Sequence, residues 1–209
     1  MLKRVFPIVV LIVCVVGLAF AAKNTVRGDD EKPANLTLSI RDFCDPTTFN
    51  LAVGAGSCLR DDNVSVNGSQ TFAGFLAELG QEKSAGAWRF NPARVETDEG
   101  INLTLVNRGG ETHTFTRVAE FGGGFVAALN AAAGNLAPRP ECALMKNGQL
   151  VPQAPSSNNI FINHGQTLMG PRIVGEERAK FQCCIHPWMH VTFNAEGDRQ
   201  DHNAHHSQN

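Results

Sequence analysis

The sequence predicts an all-β fold, an antiparallel β-sandwich preceded by an N-terminal extension that contains one short helix. From Trp88 onward, short stretches of alternating apolar and polar residues recur, which is the pattern of half-buried strands. Gly-rich turns such as Gly109-Gly110 separate these stretches, as they do in a sandwich. Before Trp88, one longer stretch instead repeats its apolar residues at helical spacing.

The first 21 residues have the three-part layout of a secretory signal peptide. Two positive charges, Lys3 and Arg4, precede an apolar run that ends at the small-x-small site Ala19-Phe20-Ala21. A membrane anchor is the alternative, but the run is shorter than the roughly 20 residues that a spanning helix needs. We therefore expect cleavage, a periplasmic or secreted mature protein, and no membrane insertion afterwards.

Residues 22–87 form the predicted extension. Its stretch LTLSIRDF, residues 36–43, alternates as a half-buried strand does. A helix that ends near Gly80 is predicted by four apolar residues at i, i+3, i+4 and i+7, namely Phe72, Phe75, Leu76 and Leu79. One apolar face of this kind favours docking on the main body over binding a partner.

The main domain is predicted over residues 88–195. Residues 119–160 interrupt its strands with a candidate short helix and Pro-rich loops, and a segment of this length is usually an insertion or functional. Residues 196–209 are rich in histidine and lack apolar side chains, so this tail is predicted to be disordered.

The charge balance excludes one group of functions. Without Lys3 and Arg4 the 18 basic residues fall to 16, against 20 acidic residues, which gives a net charge of −4. Clustered positive charge, which a nucleic-acid or anionic-membrane surface requires, is lacking in the sequence. We therefore expect no nucleic-acid partner.

The segment FQCCIHPWMH, residues 181–190, concentrates soft metal ligands. Thiolate, thioether and imidazole donors together suit copper. Zinc seldom takes a thioether such as that of Met189, and iron–sulfur clusters need more thiolates at other spacings. A mononuclear copper site with Cys-His-His and a weak axial Met needs one further histidine. His113 supplies it, at the end of a strand after the Gly-Gly turn.

The cysteine count supports one thiolate ligand. Five cysteines remain beyond the signal peptide: Cys44, Cys58, Cys142, Cys183 and Cys184. In an oxidising compartment an odd number indicates two disulfides and one thiol with another role. A Cys44–Cys58 disulfide would close a short loop and stiffen the extension, but sequence alone leaves three pairings open for any four cysteines.

The stretch from about Trp88 to Phe193 resembles the cupredoxins, which are small blue-copper electron carriers. The resemblance rests on Val106-Asn107 before the ligand histidine, and on a closing hairpin that carries Cys, His and Met. It implies a Greek-key sandwich and the loop spacing Cys-x-x-His-x-x-Met. That spacing selects Cys183, His186 and Met189, which with His113 complete the implied ligand set.

The same resemblance implies roles for the neighbouring residues. With Cys183 on the metal, strand alternation points Cys184 away, where Cys142 is a candidate disulfide partner. His190 competes with Met189 for the axial position, and spacing favours Met189. His164 is better explained as a turn residue. Thr114 is a departure from the family, because many cupredoxins have Asn directly after the ligand histidine to pin the ligand loop; a Thr hydroxyl could serve a related role.

The implied function is that of a carrier of single electrons with one type 1 copper ion and protein redox partners. Electrons would pass through the exposed ring edge of His186, with partners docking over Trp188 and Pro187. No second copper site, nucleophile–base pair or phosphate-binding loop is recognisable, so we do not expect an enzyme. The alternative is a periplasmic copper carrier or copper-sequestering protein, suggested by the histidine-rich tail and the adjacent cysteines.

Overall fold

The computed structural model describes residues 33–60, 69–96, 100–174 and 178–194. The predicted signal peptide (1–21) and the predicted tail (196–209) lie outside the described residues, so both stay predictions.

The strands form two sheets and one separate hairpin. In chain order they are β1 (Ala34–Arg41), β2 (Arg89–Asn91), β3 (Arg94–Glu96), β4 (Ile101–Asn107), β5 (His113–Val118), β6 (Ala143–Lys146), β7 (Gln149–Pro152), β8 (Asn159–Ile162), β9 (Thr167–Met169), β10 (Ala179–Gln182) and β11 (His190–Asn194). One sheet has the order β2-β1-β4-β9, and the other has the order β3-β11-β10-β5-β8. Strands β6 and β7 form the hairpin within the 119–160 segment.

The core lies between the two sheets. Strand β4 buries alternate residues, Ile101, Leu103 and Leu105, as a period of two requires. Across the interface, the rings of Phe90 on β2 and Phe115 on β5 meet edge to face with centroids 5.6 Å apart. Each such fully buried apolar side chain contributes about 1.5–3 kcal/mol of transfer free energy. The prediction of an all-β sandwich with a helical extension is confirmed.

Two strand pairs depart from the predicted antiparallel arrangement. Strand β1 runs parallel to β4 over its length, from Ala34 opposite Ile101 to Ile40 opposite Asn107, and β11 runs parallel to β3. Strand β1 is therefore part of the sandwich, although the sequence analysis began that domain at residue 88. The reason is burial: Leu38 and Ile40 are fully enclosed between the sheets.

Two helices of the extension pack beside the sandwich, α1 (Pro46–Val53) and α2 (Phe72–Glu82). Helix α2 is the predicted one; Thr71 caps it by accepting from the amide of Gly74 at 3.1 Å, and it ends two residues beyond Gly80. Helix α1 occupies part of the loop expected between Cys44 and Cys58. Asp45 caps it through the amide of Thr48 at 2.9 Å, and Pro46 suits its first turn.

A third helix, α3 (Ala127–Ala132), lies in the 119–160 segment where a short helix was predicted. Within the described part of the chain, no helix is long and apolar enough to span a membrane.

Candidate metal centre

The structure brings His113, Cys183 and His186 together in the interior. Their candidate ligand atoms all lie within 4.8 Å of one another. The Cys183 Sγ is 3.7 Å from Nδ1 of His113 and 3.8 Å from Nδ1 of His186. The three residues are 0%, 0% and 3% exposed. Two imidazoles and a thiol that face one another in a dry interior are the donor set of a soft or borderline metal.

Strand ends place these three residues. His113 opens β5, where it pairs with Ile162 of β8. Cys183 follows β10, and His186 lies in the turn that leads from β10 to β11. Two backbone hydrogen bonds close this turn: the amide of Met189 donates to the carbonyl of His186 at 2.9 Å, and the amide of Cys183 donates to the carbonyl of Met189 at 3.0 Å.

The environment of Cys183 favours the thiolate. The backbone amides of Thr114 and His186 point at its Sγ, at 3.4 Å and 3.5 Å. Burial raises the pKa of the Cys183 thiol, but the hydrogen bonds and charges of His113 and His186 outweigh burial and hold that pKa well below its ordinary value. A thiolate is the form that binds a metal.

Cys184 faces the opposite side of the chain and forms a disulfide with Cys142. Cys44 and Cys58 form the other disulfide, so among the described cysteines only Cys183 keeps a free thiol. This is the connectivity suggested in the sequence analysis. The amide of Cys184 donates to Oγ1 of Thr114 at 2.7 Å, so the hydroxyl of Thr114 does hold the ligand loop against β5.

Met189 is buried, 1% exposed, in the same turn as His186. Its neighbour His190 stacks on Phe121 with ring centroids 3.9 Å apart, and burial lowers the pKa of His190. His164 uses its Nδ1 to contact the carbonyl oxygen of Gly109, as expected of a turn residue. His190 is thus engaged with Phe121, and the assignment of Met189 as the axial ligand stays a prediction.

A buried carboxylate, Asp42, contacts the outer nitrogen of His113. Asp42 follows β1, is 2% exposed, and its Oδ2 lies 2.8 Å from Nε2 of His113. Burial raises the pKa of Asp42, but the hydrogen bond and charge of His113 and the amides of Gly110 and Glu111 lower it to about 2. Burial lowers the pKa of His113, and the carboxylate of Asp42 together with Cys183 raises it above its ordinary value.

A second carboxylate, Glu111, contacts the outer nitrogen of His186. Its Oε2 lies 3.4 Å from Nε2 of His186 and accepts a hydrogen bond from Nε1 of Trp88. Burial lowers the pKa of His186, but the charge of Glu111 and the contact with Cys183 outweigh it and raise that pKa to about 10. These values describe the metal-free site, in which protons hold the positions that a metal would take.

Neither carboxylate was predicted from the sequence. Glu111 precedes the candidate ligand His113 by two residues in the sequence, which was an available signal. Asp42 is 71 residues away from His113, so only the pairing of β1 with β4 brings it to the site.

The structure corrects the prediction that His186 presents its ring edge at the surface. His186 is enclosed between Trp88 and Trp188, with ring centroids 6.4 Å and 5.6 Å away. Pro187 is buried and Trp188 is half-buried. The cause is the helical extension: Trp188 packs on Phe75 of α2 at 5.9 Å, and its Nε1 donates to the carbonyl of Ala85 at 3.2 Å.

The solved structures that are similar to this chain include a purple cupredoxin from Nitrosopumilus maritimus, with 14% identity and a TM-score of 0.33 over 76% of this chain and 96% of that chain. They also include Fet3p, a multicopper oxidase that functions in iron import, with 13% identity and a TM-score of 0.32 over 99% of this chain. The chain spans 40% of the length of that oxidase.

No protein-family model and no curated protein matches the chain. At identities and TM-scores this low, neither structural similarity transfers a function. The assignment therefore depends on the donors that the site itself presents.

Proposed function

We propose that this chain is an exported protein that binds one type 1 copper ion and carries single electrons between protein partners. His113, Cys183 and His186 are the strong ligands, and Met189 is the weak axial one. The observation that supports the proposal most is the buried triangle of two Nδ1 atoms and one free thiol, within 4.8 Å of one another. Two disulfides beside one free thiol suit an oxidising compartment.

The donor set fits copper. Imidazole and thiolate suit copper, and a thioether in the same turn favours it over zinc. Bound copper would supply a one-electron couple between its two oxidation states. The chain's own residues keep the ligands in place: the turn bonds of Met189, the hydroxyl of Thr114 and the Cys142–Cys184 disulfide all act on the ligand loop. Such fixed ligands lower the reorganisation that accompanies electron transfer.

The burial of the three candidate ligands argues against the alternative function of a copper carrier. A carrier has to release its ion to a partner's ligands, whereas here the three candidate ligands are 0–3% exposed. Cys184, which could have assisted exchange, is engaged in a disulfide. A carrier would exchange copper(I) readily, and an electron carrier would keep its ion through repeated reduction and oxidation.

The test of the proposal is the visible absorption spectrum of the mature protein with one equivalent of copper(II). We expect an intense thiolate-to-copper band that Cys183→Ala abolishes. The control is the double variant Cys142→Ala with Cys184→Ala, which removes the neighbouring disulfide but keeps the Cys183 thiol, so a thiolate-to-copper band should remain even though the ligand loop is held less firmly. The absence of a band in the unmodified protein would overturn the proposal.

We further propose that electrons reach a partner through Trp188. Its half-buried ring lies 5.6 Å from His186, centroid to centroid, and thus joins the enclosed imidazole to the surface. Trp188→Leu should slow electron exchange with a small redox protein such as a cytochrome while the copper band stays in place. Unchanged exchange in this variant would contradict this route.

A further inference from the structure

Each candidate histidine ligand has a carboxylate on the nitrogen that faces away from the thiol. His113 contacts Asp42 at 2.8 Å, and His186 contacts Glu111 at 3.4 Å, both through Nε2. The two Nδ1 atoms face Cys183 Sγ at 3.7 Å and 3.8 Å. The arrangement is therefore the same for both imidazoles, although the carboxylates come from different segments of the chain.

Asp42 is held by more than its contact with His113. Its Oδ1 accepts from the amides of Gly110 at 2.8 Å and Cys44 at 3.3 Å, and its Oδ2 accepts from the amide of Glu111 at 3.0 Å. A side chain at Gly109 would overlap this carboxylate, so the turn before His113 fits closely around it. An ionised carboxylate has no proton to donate, hence Nε2–H of His113 is the donor.

Glu111 joins His186 to the aromatic wall of the site. Its Oε2 accepts from Nε1 of Trp88, which is 1% exposed, and the same oxygen lies against Nε2 of His186. Indole Nε1 is a donor only, so Trp88 fixes the carboxylate in place. The side chain of Glu111 is 13% exposed, and it is therefore poorly screened by water.

We propose that Asp42 and Glu111 are positioning residues that direct Nδ1 of both histidines to the metal and lower the reduction potential of the site. A carboxylate on Nε2 fixes the tautomer in which Nδ1 is free to bind, and it increases the donor strength of the ring. Two negative charges near the ion, one buried and one largely shielded from water, also stabilise copper(II) more than copper(I), because the Coulomb attraction grows with the charge of the ion. This inference rests on the copper site proposed above.

A role in capping the turn before His113 does not by itself explain the contacts that Asp42 and Glu111 make with the two histidines. The amides of Gly110 and Glu111 need an acceptor, and an uncharged side-chain oxygen would serve them. The contact of Oδ2 with His113 adds a fourth donor to a carboxylate that is already satisfied by three amides. Glu111, in turn, makes side-chain contacts with Trp88 and His186, both of which line the site.

The test compares Asp42→Asn and Glu111→Gln with Glu78→Gln in the copper-loaded protein. Glu78→Gln is a matched control because it removes the same charge from α2, away from the candidate ligands. The carboxylate of Glu78 accepts hydrogen bonds from Gln70 Nε2 at 2.6 Å and from the amide of Gly86 at 2.8 Å. The readouts are the reduction potential and the copper(I) affinity, measured by competition with a chromophoric chelator. Imidazole Nε2–H protons are then observed by NMR in the copper(I) form.

We expect each variant at Asp42 or Glu111 to shift the ratio of copper(II) to copper(I) affinity about tenfold in favour of copper(I). The reduction potential of the site should therefore rise by about 59 mV. The Nε2–H proton of the affected histidine should also exchange faster with water. Glu78→Gln should leave both readouts unchanged. A purely structural role would alter the melting temperature without this rise.

The experiment distinguishes failure of this inference from failure of the proposed function. Because an amide at position 42 places N–H groups against amide donors, Asp42→Asn can fail to fold, and Glu111→Gln then decides. A copper band in the unmodified protein with no rise in potential for Glu111→Gln relative to Glu78→Gln would overturn this inference alone. No copper band in the unmodified protein would overturn the proposed function, and this inference with it.

Discussion

The helical extension shields the candidate ligand His186, and Phe75→Ala is the substitution that tests this most directly. Phe75 lies on α2 and is 3% exposed. Its ring centroid is 4.6 Å from that of Trp88 and 5.9 Å from that of Trp188. These two indoles are the rings that enclose His186. Removing the Phe75 ring therefore removes the support behind both.

The size of the effect follows from burial. Truncating a buried phenylalanine to alanine typically costs 3–5 kcal/mol of unfolding free energy, since transfer and cavity contributions add. The Phe75 site resists collapse because α1 is tied by the Cys44–Cys58 disulfide and presents Phe49 at 5.6 Å. We therefore expect a loss near the upper end of this range, about 4–5 kcal/mol, which lowers the melting temperature of a chain of this size by about 8–20 °C.

The assay combines thermal unfolding with the reactivity of His186 toward an imidazole-modifying reagent in the metal-free protein. The control is Leu76→Ala on the same helix, because Leu76 is 45% exposed and such surface changes stay within about 0.5 kcal/mol. The reagent should modify His186 faster in Phe75→Ala than in this control. Equal melting temperatures and equal His186 reactivity in the two variants would refute the shielding role.

Four further predictions rest on contacts described above. Replacing Cys44 and Cys58 by serine opens a loop of sequence separation 14 and should cost about 3 kcal/mol, measured by denaturant unfolding. Gly109→Ala forces its Cβ onto the carboxylate of Asp42 and should weaken copper binding 10–100-fold, measured by competition titration. Gly80→Ala meets no atom within 4 Å and should instead raise stability by up to about 1 kcal/mol. The pKa of Asp42 is lowered from 3.8 to about 2, so ionised Asp42 adds about 2 kcal/mol to the free energy of unfolding of the metal-free protein. This contribution is present above about pH 4 and is lost as the pH falls through 2. An acid titration of stability that is the same for Asp42→Asn and the unmodified protein over this range would contradict the prediction.

The sequence predicted features that depend on local periodicity. The alternation of Ile101, Leu103 and Leu105 follows directly from the two-residue repeat of a strand, and the stripe that contains Phe75 follows from the helical repeat. The donor types in residues 181–190 and the need for one distant histidine pointed to His113. These inferences need only neighbours in the chain and the chemistry of the side chains.

Features that depend on distant pairing could not be predicted. Helix α1 was hidden because Gly54 and Gly56 follow it closely and the two cysteines around it suggested a loop. The position of Asp42 beside His113 depends on the parallel register of β1 against β4, which no local sequence pattern predicts. The burial of His186 depends on where α2 docks, and an apolar stripe does not state which part of the sandwich it covers.

The adjacent cysteines offer Cys142 two possible partners, and only pairing with Cys184 leaves the candidate ligand thiol of Cys183 free. In the folded chain one thiol faces the ligands and the next pairs with Cys142. If Cys142 captured Cys183 instead, β10 would slip by one residue and turn Phe181, now 1% exposed, to the opposite face. Burial of that ring therefore selects the correct pairing. A metal that reaches Cys183 early removes the competing thiolate, because exchange requires a free thiolate. If the chain binds copper as proposed, an ion bound early at Cys183 would therefore also direct Cys142 to Cys184.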